Sequence, residues 1–438
     1  MNSLLLTAVL AQGGAVATLP LQPDVAPRGA PPNIVLVVAD DFGVDLMPSY
    51  GEGDDLPCTP VLDDLTASGM LFRNAWASPQ CSPARAQLLT GRYGFRTGIG
   101  TPGGARLDLS ERTVPEMLVG YSSTAVGTWH LGATGANLTH PNDSGFERFA
   151  GSRANLDDYL DWTKLVDGQQ FSTATYATTD TTDEAIGAIL AMPQPFFLHV
   201  AFHAPHGPAH APDPALCPAP CAGGLDCAGV GGGSANWRKT RAMVGAMDTE
   251  LGRLLDVLDA VDPRAYVFFI GDNGTGNGAT RPPFVNGHAK GTLYEGGINV
   301  PLVVRGPGIP AGTECAGLVS AVDLFATFAE LAGRPSTAED SVSLVPYFRD
   351  PMASLRATVY SESFAPNAQA SLPFTNHERA IRDGRFKLIR RTGQQDELFD
   401  LAADPWESTD LVPTLTPGSP AALAYQSLTA GLAALGVD

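Results

Sequence analysis

At 438 residues the chain is long enough for one large α/β unit plus a smaller one, and for a substantial buried core. Its 27 Lys and Arg stand against 46 Asp and Glu, a formal charge of −19. That balance argues against nucleic acid and anionic membrane surfaces as partners, and it mildly disfavours long polyanions. A small anion then needs a local basic pocket. The only lysines are Lys164, Lys239, Lys290 and Lys387, so any lysine in a pocket stands out.

Residues 1–20 read as a secretory signal, with an apolar core from Leu4 to Leu10 and small residues Ala15-Val16-Ala17 at a cleavage position, although a basic start is missing. The expected location is secreted or periplasmic. Pro20 to Pro32 reads as an extended linker, and no later run is long enough to span a membrane. Asn33-Ile34-Val35-Leu36-Val37-Val38-Ala39 has the apolar pattern of a strand buried on both faces in a parallel sheet. It ends in Asp40-Asp41, and ligands of open α/β sheets bind beyond the carboxyl ends of strands.

Thr59 to Gly69 reads as a helix with Leu62 and Leu65 inward, followed by a strand from Met70 to Trp76. The strand leads into Ser78-Pro79-Gln80-Cys81-Ser82-Pro83-Ala84-Arg85, a turn running into a helix. Ser82 is the expected N-cap, Pro83 the first helical residue and Gly91 the far end. Cys81 would sit just before the helix mouth with Arg85 one turn further on the same side, a setting that favours an anion and a reactive thiol. Thr113 to Leu118 fits a helix capped by Thr113 and Glu116. Ser123 to Val126 reads as a short strand ending at Gly127-Thr128-Trp129-His130-Leu131-Gly132.

A helix is expected over Thr179–Ala191 and a buried strand over Phe196–Phe202, running into His203-Ala204-Pro205-His206. Cys217, Cys221 and Cys227 cluster in a Pro/Gly-rich insertion. No second ligand pair follows them, so a disulfide-stapled loop is favoured over zinc. The pairing among these three, Cys58 and Cys315 is not readable. Ala235 to Val261 is the clearest helix, with Val244, Met247, Leu251, Leu254, Leu255 and Leu258 at helical spacing. Tyr266 to Ile270 is a buried strand ending at Gly271-Asp272-Asn273-Gly274. A glycine-rich loop carries Lys290, a strand covers Pro301–Arg305, and a helix capped by Asp323 runs to about Gly333. After a polar stretch at 334–356, a tight hairpin around Asp383-Gly384 and the run Glu397–Leu401 mark a small antiparallel unit. The expected division is 33–340 for the main unit and 355–438 for the small one.

Asp40, Asp41, Asp272 and Asn273 gather at strand ends as an all-oxygen set that suits Ca²⁺ or Mg²⁺ and not Zn²⁺. Arg85, His130, His206 and Lys290 form a second group of cations and proton carriers, as a tetrahedral oxyanion ester requires. A single histidine in such a place is more often structural than catalytic; the joint placement at strand ends and glycine loops carries the functional reading.

Cys81-Ser82-Pro83-Ala84-Arg85 with Thr90-Gly91 resembles the sulfatase family signature, Cys-x-Pro-x-Arg followed by Thr-Gly. Val38-Ala39-Asp40-Asp41, Gly271-Asp272-Asn273-Gly274, Ala204-Pro205-His206, and Lys290 with Tyr294-Glu295-Gly296-Gly297 resemble further family motifs. So do Glu397–Leu401 and Asp404-Pro405-Trp406-Glu407 near the end. The resemblance implies an alkaline-phosphatase-like α/β sandwich with a large, mostly parallel sheet and a small C-terminal antiparallel sheet. It implies that a formylglycine-generating enzyme converts Cys81 to formylglycine, whose hydrate attacks the sulfur of a small sulfate ester or sulfated sugar. Asp40, Asp41, Asp272, Asn273 and modified Cys81 would hold the metal, and Arg85 would position the formylglycine. His206 and Lys290 would contact the sulfate and assist the leaving oxygen, and His130 would help expel sulfate. One departure stands out: Thr128 occupies the place of a family lysine, which removes a charge-assisted donor. That change makes a phosphonate monoester or phosphodiester hydrolase on the same site the nearest rival, and an inactive binding relative is a second one from another class.

Overall fold

The computed structural model describes residues 29–132, 137–218, 227–367 and 374–437. The expected leader at 1–20 and Cys221 lie outside them. β1 (Ile34–Asp40) is apolar up to its last residue and is buried throughout, so it takes parallel neighbours on both edges. These are β7 (Phe196–Pro205), also buried along its whole length, and β8 (Tyr266–Gly271). With β2 (Met70–Trp76), β3 (Ser122–Thr128), β4 (Arg148–Ser152), β5 (Trp162–Val166), β6 (Gln169–Thr173), β9 (Leu302–Arg305) and β10 (Thr313–Ser320), they form one ten-stranded sheet. The order is β10-β2-β9-β8-β1-β7-β3-β4-β5-β6, and only β9 and β5 run against the rest.

Because successive side chains of a strand point to opposite faces, β1 feeds two cores. Ile34, Leu36 and Val38 pack with the helices Cys81–Thr90 and Asp323–Leu331 on one face. Val35, Val37 and Ala39 pack with Pro60–Ser68, Ala177–Ala191 and Asn236–Val261 on the other. Each fully buried aliphatic side chain contributes roughly 1.5–3 kcal/mol. A charge at Val37, which has no exposure, would therefore break the centre of the sheet.

β11 (Val359–Ala365), β12 (Asn376–Arg382), β13 (Phe386–Arg391) and β14 (Glu397–Asp400) form a separate antiparallel sheet. In the expected hairpin the Asp383 carboxylate accepts the backbone N–H groups of Arg385 and Phe386, both at 2.7 Å. The helix Pro420–Leu435 covers one face through Leu428 and Leu432, against Ile381, Leu388 and Leu398. The other face meets the main unit at a buried ion cluster. Lys387, with no exposure, lies 3.0 Å from Glu295 and 2.7 Å from Glu407, and its ammonium stands over the Trp76 ring. Glu407 of the last motif and Glu295 of the glycine-rich loop motif thus fasten the small sheet to the large one.

Some local expectations are corrected. The stretch 334–356, read as polar, supplies a helix (Val345–Arg349) whose Val345, Tyr347 and Phe348 pack in the main core. Asp323 is not a cap: it is the first residue of its helix, behind Val322. Its carboxylate instead accepts the N–H groups of Ser320 and Val342 and pairs with Arg356. Cys217 and Cys227 form a disulfide and Cys58 is also disulfide-bonded, while Cys315 is free and buried.

Candidate active site

The site forms where β1 and β8 end. Asp40 is the last residue of β1, and Asp41 follows with φ 63°, a left-handed conformation that costs a non-glycine residue about 1–3 kcal/mol. The turn is held by the Asp41 N–H, which donates to Asp272 Oδ1 at 3.1 Å. Behind it the backbones of two motifs nearly touch: a Cβ on Gly274 would fall 1.8 Å from the Gly296 carbonyl oxygen, so only glycine fits.

The helix opposite starts two residues earlier than its sequence suggests. Cys81 is its first residue, Gln80 precedes it in an extended conformation, and Pro83 falls in the first turn. Ser82 does not cap; its hydroxyl donates to the His130 carbonyl at 2.8 Å and joins two motifs. Gly91 closes the helix at φ 67° as expected. Arg85 is 2% exposed and acts as a clamp. Its Nη2 lies 3.1 Å from both Asp40 Oδ2 and Asp272 Oδ2, and its Nη1 donates to the Thr128 carbonyl at 2.8 Å.

Cys81 Sγ sits 3.1 Å from Asp40 Oδ1, 3.9 Å from Asp41 Oδ1 and 3.3 Å from Lys290 Nζ. Asp41 Oδ1 also accepts from Asn273 Nδ2 at 2.9 Å and from Lys290 Nζ. One ligand atom each from Asp40, Asp41, Cys81 and His206 lies within 4.8 Å of the others, so a metal ion has a place here. The donor chemistry fits a hard cation. Three buried carboxylates face only two fixed cations, Arg85 and Lys290, and Asn273 Oδ1 is buried without a hydrogen-bond partner among the described residues. The imbalance shows in the acids. Burial pushes Asp272 up to about 7, with the Asp40 charge adding to it. Burial also works against the Asp40 anion, but Arg85, His206, Lys290 and His130 together hold it below the usual carboxylate range.

Cys81 itself departs from the expectation of a reactive thiol. Burial, then the charges of Asp40 and Asp272, push its pKa well above the ordinary value. The unmodified side chain is a protonated thiol. The helix mouth does not win: burial disfavours the thiolate most, and the carboxylates at the ends of β1 and β8 add to it against Lys290.

The proton carriers differ from one another. His206 Nδ1 donates to the Gly207 carbonyl at 2.8 Å, which leaves Nε2 to face the site 3.9 Å from Asp41 Oδ2. Asn155 Nδ2 approaches Nε2 at 3.1 Å, and the Tyr159 hydroxyl donates to the His206 carbonyl at 2.7 Å. His130 has φ 61°, and its Nδ1 is buried without a partner among the described residues. Burial brings its pKa down to about 4, so the ring is neutral at pH 7. Burial would lower Lys290 as well, but Asp41, Cys81, Asp40 and Asp272 hold it above the usual lysine range. Thr128 is 2% exposed with its hydroxyl unpartnered among the described residues.

All nine expected site residues therefore converge. The sequence reading missed Asn155 and Tyr159, which hold His206 in place. They come from an irregular segment between β4 and β5 that has no periodicity or motif to flag it.

A mostly parallel sheet with carboxylates, cations and a helix-borne cysteine at its strand ends defines the alkaline-phosphatase-like class of α/β proteins. Within it, the chain belongs to the sulfatase family, whose model matches residues 32–334. A model for the C-terminal region of N-sulphoglucosamine sulphohydrolase matches 287–417. The chain is 32% identical to N-acetylgalactosamine-6-sulfatase of Canis lupus familiaris over 371 residues, covering 72% of this chain and 66% of that enzyme. It is 27% identical to arylsulfatase A of Bos taurus, covering 90% and 86%. The matched region is thus just under two thirds of the length of the first relative. Among solved structures, Ps i-CgsB in complex with k-i-k-neocarrahexaose superposes with a TM-score of 0.75 at 26% identity, over 91% of this chain and 92% of that one. The family implies a metal ion and a formylglycine.

Proposed function

We propose that the chain is a sulfuric ester hydrolase acting on a sulfated sugar or aryl sulfate. One observation carries the reading: Cys81 Sγ is fixed between Asp40 Oδ1 and Lys290 Nζ in a buried, acid-rich cluster, as a protonated thiol unsuited to attack. Converted to formylglycine by its maturation enzyme, the same position supplies a hydrated aldehyde as the nucleophile. Ca²⁺, with Mg²⁺ as the alternative, would be held by Asp40, Asp41, Asp272, Asn273 and residue 81, and it supplies a Lewis acid for the anionic oxygens.

The remaining work belongs to the chain's own side chains. Arg85 keeps the Asp40 and Asp272 carboxylates in place from behind. Lys290 presents a fixed ammonium to the sulfate oxygens, where charge builds up as the ester bond breaks. His206 is oriented by Gly207 and Tyr159; its Nε2, which accepts from Asn155 at rest, would take up a proton in place of that contact and pass it to the departing alcohol oxygen. His130, neutral at pH 7, offers the lone pair of Nδ1 to the proton released when the site returns to its resting state. We read residues 33–340 as the catalytic unit and 355–438 as the small C-terminal one. The Cys217–Cys227 disulfide supports a secreted or periplasmic location.

The test compares 4-nitrophenyl sulfate with 4-nitrophenyl phosphate and phosphonate esters on matured protein. Faster sulfate turnover is the expected result. A faster phosphonate or phosphodiester rate would move the assignment to that class, which the loss of a lysine at Thr128 makes the natural rival.

A further inference from the structure

Beyond the end of β7, the short segment 206–210 carries both the proposed acid and part of a wall of the site. A cleft of about 290 Å³ opens beside Asp41, with residues 276–279 on one side and Pro205, Gly207, Pro208 and Ala209 on another. His206 lies in the same turn. Among the described residues, 206–210 makes a single backbone–backbone hydrogen bond, from the His206 N–H to the His203 carbonyl at 2.8 Å. A segment with so few backbone bonds is placed by its side-chain contacts.

Two anchors reach it from the core. One is the Tyr159 hydroxyl, which donates to the His206 carbonyl at 2.7 Å. The other is His210. Its Nδ1 lies 2.9 Å from the Pro208 carbonyl and its Nε2 3.0 Å from the Tyr176 hydroxyl. Burial lowers its pKa, outweighing the Pro208 carbonyl and the Asp158 carboxylate, so the ring is neutral at pH 7. A neutral imidazole has one donor and one acceptor: Nδ1–H gives to Pro208, and Nε2 accepts from Tyr176. The ring centre is also 4.4 Å from that of Tyr159 and 5.5 Å from that of Tyr176. Both tyrosines pack with the core that holds Val35 and Val37, and the Ala177 N–H, next to Tyr176, donates to the Tyr159 carbonyl at 2.9 Å. The three rings make one box, and His210 is its only member on the segment.

We propose that His210 is a positioning residue for the reaction, clamping the Pro208 carbonyl to Tyr176 and Tyr159 and thereby setting both the reach of His206 Nε2 to the departing oxygen and the spacing of the cleft walls. This role rests on the sulfate-ester reading, which makes His206 the proton donor. Without the ring, Pro208 loses its bond to the core, and a shift of the acid by about 1 Å costs on the order of 10² in rate. The loss depends on the leaving group. A simple phenol or a sugar alcohol needs the proton as the ester bond breaks, whereas 4-nitrophenolate departs with little help. A residue that served folding alone would slow every ester alike.

The experiment measures kcat and KM on matured protein for 4-nitrophenyl, 4-chlorophenyl and phenyl sulfate, whose leaving groups need a proton to an increasing degree. His210→Ala is expected to lower kcat for phenyl sulfate by about 10², and to lower that for 4-nitrophenyl sulfate by a factor about tenfold smaller. His210→Gln keeps one donor and one acceptor on a planar group and should restore most of the loss. Tyr176→Phe removes one of the two bonds and should show the same trend at smaller size, which carries the test if His210→Ala does not fold. Equal losses for all three esters, or none, would overturn the proposal. The imidazole nitrogen resonances of His206, assigned with His206→Gln, give a readout that needs no turnover. They are expected to move in His210→Ala and to return in His210→Gln. Such movement in a protein that hydrolyses none of the esters would uphold the positioning role while refuting the hydrolase, and unmoved resonances would overturn the role itself.

Discussion

Two buried ion clusters lie within this molecule, and they are built to opposite ends. At the seam between the sheets, Glu295 and Glu407 face Lys387 and Arg382, two anions against two cations, and the cluster is closed in charge. At the ends of β1 and β8, Asp40, Asp41 and Asp272 face only Arg85 and Lys290 as fixed cations, and the buried Asn273 Oδ1 and His130 Nδ1 have no partners among the described residues. Both clusters come from family motifs, and a sequence alone does not tell them apart. The difference lies in balance. A closed cluster holds parts together, whereas an open one has a place for a cation and an anion that arrive from solution.

The largest expected effect tests the closed side. Lys387→Met leaves two carboxylates buried without their shared cation and should cost about 3–5 kcal/mol of stability. Urea unfolding measures the loss, and the folded fraction should keep its turnover within a small factor. A stable variant with impaired turnover would reverse the roles assigned to the two clusters. On the open side, Lys290→Met should lower kcat for 4-nitrophenyl sulfate by roughly 10²–10³, the usual loss when one preorganised donor to a transition-state oxyanion is removed. Normal kcat would take Lys290 out of the site.

A third expectation sharpens the contrast through the metal. Ca²⁺ at about 100 times its dissociation constant should stabilise the protein by roughly 2.7 kcal/mol, read as a rise in melting temperature. Asp272→Asn should abolish the rise, and Lys387→Met should leave it intact. A smaller effect concerns pH. Burial lowers both His199 and His203 to about 3 in the fold, so each ring is held neutral. With the folded value below the unfolded one near 6.5, their contribution is complete above that pH and falls as pH drops toward 3. The slope should be at most about 1.4 kcal/mol per pH unit for each ring, and replacing His199 by Gln should flatten denaturation curves taken between pH 6 and pH 4.

What the sequence revealed and what it hid follow the same division between local and assembled structure. β1, β7, β8 and the long helix at Asn236 were legible because each carries its own apolar pattern, and the strand-end carboxylates because they follow those runs directly. β6, largely exposed along Gln169–Thr173, has no apolar alternation and was not legible. β10 and β11 were missed as well, since Thr313–Ser320 and Val359–Ala365 interrupt their apolar residues with Glu, Gly and Ser. The nine site residues could be named because short motifs flag them. The state of Cys81 could not: its thiol is kept protonated by burial and then by carboxylates from two distant strands, and only assembly brings both about. The same holds for Asn155 and Tyr159, which meet His206 only after β4, β5 and β7 are in register.

The mass of the peptide containing Cys81 is the most direct test of the central claim, measured on protein made with a formylglycine-generating enzyme. The account predicts the mass of the aldehyde or its hydrate at residue 81, alongside turnover of 4-nitrophenyl sulfate. An intact thiol at that position would contradict it and would leave the chain a binding relative of the hydrolases it resembles.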